Sequence, residues 1–323
     1  MKRILPIILA ATLFACVIPC YADDDKAPLI TPSETCLFAH RDTCDLYLDI
    51  YEPAPGADVA FQGIDKPTLL FVYGGGFIIG RRNDPFYFPW LKEFLDNGYR
   101  VVALDYRLGL KGVKMKFDPF HVLGSLRLTK KAVEMGVEDV FSAVKFLIDE
   151  KGFDPANFVV MGNSAGAMIS LTSEWEACKS SSLARAAGLP EGFHFKGVMS
   201  FAGAIVTVSG APSYPITPAP MLLIHGTNDG AVMYKKAALG RYGMYGSSGL
   251  VKDVFSKRGY IYHFYSYKDH THDMAVNMVH CMKEQFRFLE EEVMLRRGRV
   301  IDVMVDDPEM PVGEDFSLGK IYR

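Results

Sequence analysis

Short apolar runs spaced by longer helical stretches constrain this chain most. They are Thr68 to Tyr73, Arg100 to Asp105, Asn157 to Met161, Gly197 to Phe201, Met221 to His225 and Tyr260 to Tyr265. Runs this hydrophobic suit strands buried on both faces, as in a parallel sheet whose crossovers are helices. Between them, Val137 to Glu150 carries Val140, Ala143, Val144, Phe146 and Leu147 at helical spacing, and Met274 to Arg296 shows the same periodicity. The alternation predicts one α/β domain with a mostly parallel sheet, and 323 residues with 49% hydrophobic and 23% charged side chains suffice for its core. Asp45 to Tyr51 instead alternates polar and apolar, which predicts a half-buried antiparallel strand at a sheet edge, ended by Pro53, Pro55 and Gly56. No internal repeat or interdomain linker interrupts the pattern.

Two segments break it. Leu110 to Met135 is long and basic, with Lys111, Lys114, Lys116, Arg127, Lys130 and Lys131 among apolar residues. It reads either as a small cap (110–135) over a site or as an amphipathic surface insertion. The tail from Gly298 to Arg323 mixes acidic and apolar residues and suggests no function. At the other end, basic Met1-Lys2-Arg3, an apolar run from Ile4 to about Ile18, Cys20-Tyr21-Ala22 and acidic Asp23-Asp24-Asp25 form the pattern of a secretory signal peptide cleaved after Ala22. The expected location is therefore periplasmic or secreted. Lipoprotein processing at Cys16 ranks lower because Phe14 is bulky for such a site, and the apolar run is short for a stable membrane span. Asp23 to Thr35 reads as an extended arm, which leaves 36–297 as a single domain.

The formal charge is −3, and loss of Lys2 and Arg3 would make it two units more negative, which argues against a nucleic-acid partner. Cys16 and Cys20 would leave with the signal, so Cys36, Cys44, Cys178 and Cys281 remain. Export permits disulfides, and a bridge from Cys36 to Cys44 across a hairpin turn at Ala39-His40-Arg41-Asp42 is the preferred pairing. Four unpaired, buried thiols are the alternative. No cysteine or histidine spacing suggests a metal site, and no cofactor is expected.

Chemistry is concentrated in four motifs. Gly162-Asn163-Ser164-Ala165-Gly166 follows a β-rich run and precedes a helix-like stretch, the setting of a nucleophile elbow. A serine hydroxyl is a weak nucleophile unless a sharp turn holds it clear, beside a base and N–H donors. Tyr73-Gly74-Gly75-Gly76-Phe77 follows a strand, and its glycines let backbone N–H groups approach a ligand; Gly75 and Gly76, with Ala165, are the candidate oxyanion donors. His225-Gly226-Thr227-Asn228-Asp229 closes another strand with one carboxylate, Asp229, to orient a base. Asp269-His270-Thr271-His272-Asp273 follows the last apolar run and offers two bases, His270 and His272. Nucleophile, acid and base then occur in the chain order required of an elbow-type triad.

With these motifs assembled, and with Asp105-Tyr106-Arg107-Leu108 after a strand, the chain resembles the α/β-hydrolase superfamily. Within it, the chain is similar to carboxylesterase and hormone-sensitive-lipase-like esterases, above all small exported bacterial ones. The likeness runs from about Asp45 to Leu295. It implies a base at His272, with Thr271 where the family often has glycine, and leaves His270 as the alternative. It also implies that Asp105 and Arg107 form a structural pair and that Tyr73 replaces the histidine of the lipase-like branch. His40, His121, His194, His263 and His280 carry no motif, and with His225, to which the strand-end motif assigns no chemistry, they read as surface or packing residues. Phe77, Phe86, Tyr87, Phe88 and Trp90 read as a pocket lining or as core.

The resemblance implies a serine esterase without a cofactor. Its expected substrate is a small-molecule or carbohydrate-linked ester, with short acyl, acetyl or feruloyl groups favoured. A peptidase of the same fold is disfavoured because no substrate-selecting domain is visible. A catalytically silent binding protein is disfavoured because all three triad positions are filled. The oligomeric state is open.

Overall fold

A computed structural model describes residues 29–115 and 121–313. The segment expected to be a signal peptide, the start of the expected arm, Lys116 and the end of the tail lie outside the described residues. Nine strands form the main sheet: β1 (Glu34–His40), β2 (Asp45–Tyr51), β3 (Thr68–Val72), β4 (Val101–Leu104), β5 (Phe158–Asn163), β6 (Gly197–Phe201), β7 (Met221–Gly226), β8 (Tyr262–Tyr267) and β9 (Ile301–Val305). Their spatial order is β1-β2-β4-β3-β5-β6-β7-β8-β9. The ladder from β4 to β9 is parallel throughout, and β2 is antiparallel to both of its neighbours. The expected α/β fold is thus the observed one.

The apolar runs became strands because both faces are covered: β3, β4, β5, β6, β7 and β8 are buried along their entire lengths. The covering helices include α1 (Phe88–Asp96), α2 (Val122–Lys151), α3 (Ala165–Cys178) and α4 (Met282–Phe288), the last running on into a π-helical turn at Leu289–Met294. A small second sheet joins Ala204–Thr207, Tyr242–Gly246 and Lys236–Leu239.

Several expectations are corrected. The alternating segment 45–51 is not the sheet edge, because β1 pairs outside it, and its last four residues are all buried. Cys36 and Cys44 are both free thiols. Cys36 stands opposite Leu48, whereas the turn lies beyond the pair His40 and Asp45, so the two cysteines are about 13 Å apart along the ladder, out of disulfide reach. The basic segment 110–135 forms no separate cap among its described residues: from Val122 it is the first half of the 30-residue α2, which buries Ala132, Val133 and Val137. Asp105 and Arg107 do not pair with each other. Asp105 binds Arg82 at 2.6 Å, and Arg107 binds Asp139 at 3.0 Å and Glu138 at 2.6 Å. The sheet also continues past residue 297, where the tail adds β9 parallel to β8.

Candidate active site

The motifs meet at the carboxyl ends of the parallel strands, the end of such a sheet at which ligands bind. Ser164 stands between β5 and α3 with φ 52° and ψ −120°, a conformation that costs a non-glycine residue about 1–3 kcal/mol. Hydrogen bonds hold it there: its N–H donates to Phe201 O at 2.8 Å, and its carbonyl accepts from Met168 N–H at 3.0 Å. The turn is so tight that a Cβ at position 166 would lie 1.9 Å from Val72 O, and one at 162 would lie 2.5 Å from the Gly166 carbonyl carbon. Ala165 opens the 14-residue α3, so its amide belongs to the positive end of that helix.

The glycine loop after β3 leans on this elbow, with Gly74 packed against the side chain and carbonyl of Asn163. Gly75 (φ 126°) and Gly76 (φ 63°) adopt left-handed backbone, and Gly75 O accepts from Ile78 and Ile79 N–H at 3.0 and 3.1 Å. Tyr106 Oη donates to Tyr73 O at 3.1 Å, with the two rings 4.6 Å apart, which fixes the start of the loop.

Asp229 and His272 come from two loops that cross at Gly226. A side chain at that position would collide with the backbone oxygens of His270 and Thr271, at 2.4 and 2.3 Å. His272 begins a 3-10 turn, His272–Ala275. Its Nε2 lies 2.7 Å from Ser164 Oγ and its Nδ1 lies 2.7 Å from Asp229 Oδ2. A carboxylate only accepts, so Nδ1 carries the proton and Nε2 accepts from the serine hydroxyl. The Asp229 side chain is wholly buried, and Ala231 and Val232 N–H both donate to Oδ1 at 2.8 Å. Burial opposes its ionisation, but the hydrogen bonds from His225 and His272 outweigh that and hold the carboxyl well below the usual carboxylate range. The arrangement can take a proton from Ser164 and stabilise the resulting imidazolium.

The competing base is elsewhere. His270 is buried with Nδ1 2.8 Å from Asp273 Oδ2, which also accepts from Gly313 N–H at 2.9 Å. Among the aromatic candidates, Phe77, Tyr87, Phe88 and Trp90 are core residues and Phe86 alone is exposed.

Two residues near the site had no role in the sequence reading. His225 is wholly buried and binds Asp229, although its place at a strand end does not reveal on which side its ring falls. Asn163 Nδ2 donates to Ala275 O at 2.8 Å and so ties the elbow to the turn that carries His272. Away from the site, ligand atoms of His263, Glu291 and Glu292 lie within 4.8 Å of one another. Their charge is already balanced: Gly298 and Arg299 amides donate to Glu292, and Arg297 and Arg299 guanidiniums face Glu291. This makes the group a poor cation site.

No family model matches the chain. It is 29% identical over 164 residues to para-nitrobenzyl esterase of Bacillus subtilis (strain 168), covering 50% of this chain and 29% of that protein. It is 33% identical over 130 residues to fumonisin B1 esterase of Sphingopyxis macrogoltabida, covering 38% of this chain and 21% of that protein. The chain thus spans less than a third of the length of these curated relatives. Among solved structures, the apo form of Thermogutta terrifontis esterase 2 superposes with a TM-score of 0.53 at 18% identity, covering 82% of this chain and 97% of that one. Esterase B from Lactobacillus Rhamnosis (HN001) gives 0.53 at 17% identity, covering 81% and 87%.

Proposed function

The chain is an α/β-hydrolase by fold, and from that premise we propose that it is a serine carboxylic ester hydrolase acting through an acyl-enzyme. The observation that carries this reading is the continuous line from Ser164 Oγ through His272 to Asp229, with both links at 2.7 Å. As Ser164 Oγ attacks the ester carbonyl carbon, His272 Nε2 takes its proton and the carbonyl π pair moves onto oxygen. Backbone N–H groups of Gly75, Gly76 and Ala165 receive that oxyanion. Collapse breaks the bond to the alkoxide, which leaves with the proton from His272, and water then releases the acid by the same steps.

The acyl group is taken to be short, and a carbohydrate-linked acetyl or feruloyl ester is the finer reading. Support for a short acyl group comes from the similarly folded Thermogutta terrifontis esterase 2, whose structures include propionate-bound and butyrate-bound forms. We also propose an exported location, read from the pattern of the first 22 residues, so that N-terminal sequencing of the protein recovered from its native host should begin at Asp23. Hydrolysis of p-nitrophenyl acetate, with stoichiometric labelling of Ser164 by a fluorophosphonate, tests the reaction. A Ser164→Ala variant that keeps wild-type turnover sinks it. A panel of acetylated and feruloylated oligosaccharides then separates the substrates.

A further inference from the structure

We infer that His225 is a positioning residue for this reaction, a fixed N–H donor that keeps the Asp229 carboxylate turned toward His272. The inference rests on the serine-hydrolase reading above. Asp229 Oδ2 faces two imidazoles at once, His272 Nδ1 at 2.7 Å and His225 Nε2 at 3.1 Å. His225 Nε2 also lies 3.1 Å from Val232 O, and its Nδ1 lies 2.8 Å from Ser247 Oγ. Carboxylate and carbonyl oxygens only accept, so Nε2 carries a proton shared between them, and the Ser247 hydroxyl, which can donate or accept, partners Nδ1. Both ring nitrogens are thus held by fixed partners.

The ring is enclosed by fixed neighbours. His225 and Ser247 are wholly buried, and the Tyr234 ring stands edge-on to the imidazole at 5.6 Å. With two backbone amides on Oδ1 and two imidazoles on Oδ2, the carboxylate cannot turn without losing donors, and its side chain has no exposed surface at which water could replace them. The imidazolium that forms at His272 needs that carboxylate already aligned, since reorientation during the reaction would add to the barrier. His225 touches neither the serine nor the reacting ester, and it acts through Asp229.

The test uses the full chain and p-nitrophenyl acetate. His225→Leu should lower kcat about 10- to 100-fold while KM stays within about twofold, the scale of one hydrogen bond to a charged group. His225→Gln, which retains an N–H donor, should recover most of the loss, and Ser247→Ala should cost only a few-fold. The deciding comparison is the Asp229→Asn background, in which His225→Leu should cost nothing further because the group it acts through has changed. A merely structural role would instead give a loss that repeats there and tracks the thermal midpoint. The same loss in both backgrounds, or unchanged kcat in a folded His225→Leu, overturns the inference. Should His225→Leu fail to fold, Ser247→Ala carries the same comparison, and a loss that persists beside Asp229→Asn is again fatal. A wild-type chain that neither turns over the ester nor accepts a fluorophosphonate at Ser164 instead refutes the serine-hydrolase reading itself.

Discussion

Two serine–histidine pairs converge on the same oxygen of Asp229, Ser164 with His272 and Ser247 with His225, and each serine lies 2.7 to 2.8 Å from its imidazole. In both, one ring nitrogen donates to the carboxylate while the other partners a serine hydroxyl, so the hydrogen bonding is nearly mirror-related. The surroundings differ. Ser164 occupies a left-handed turn, stands partly exposed and heads a 14-residue helix beside the glycine loop. Ser247 follows an extended Gly246, opens a four-residue helical turn and is wholly buried. On the proposed mechanism a hydrogen-bonded base is not enough to make a nucleophile; a strained turn, access for the ester and N–H donors for the oxyanion must be added.

Breaking the open pair should have the largest effect. Ser164→Ala or His272→Ala is expected to cut kcat about 10⁴-fold or more, whereas His270→Ala, which disturbs a buried contact with Asp273, should leave kcat within about tenfold in steady-state assays of folded protein. Equal losses from the two histidine variants would remove the distinction between them. The shared carboxylate gives the next test. Its folded pKa lies below its ordinary value of 3.8, so its stabilisation is present above that value and is lost as pH falls toward the folded one. Urea unfolding should thus show Asp229→Asn less stable than wild type near about pH 7, with the gap narrowing by about pH 3. A gap that widens on acidification would contradict the hydrogen-bonded carboxylate. The smallest effect is expected from the closed pair: a fluorophosphonate should label Ser164 and leave Ser247 unmodified by peptide mass analysis, and modification at Ser247 would show that its burial is not maintained in solution.

Much of this architecture was legible in the residues. Continuous apolar runs at 68–73, 100–105, 157–161, 197–201, 221–225 and 260–265 needed two covered faces and became the parallel strands, because hydrophobic periodicity is a local property. The motif at 162–166 was legible as a sharp turn, and the distances in the structure show which oxygens a side chain at 162 or 166 would have met; the close crossing at Gly226 emerged only from the structure. Long-range partners were less legible. Whether 110–135 was a cap or part of a helix depended on what its apolar face packs against. The pairing of Cys36 depended on strand register, which set it opposite Leu48 rather than near Cys44. The partners of Asp105 and Arg107 depended on where Arg82 and Asp139 fell in space.

The same division runs through the site. Residue types and their order along the chain identified Ser164, Asp229 and the pair of histidines at 270 and 272 as candidates, since an elbow and a strand-end acid leave local marks. Which imidazole faces the serine is a matter of how the loops cross at Gly226, and that crossing also places His270 against Asp273 and His225 against Asp229. A histidine carries the same chemistry wherever it occurs in a sequence; three-dimensional packing decides whether its nitrogens meet a nucleophile, a carboxylate or only a buried neighbour.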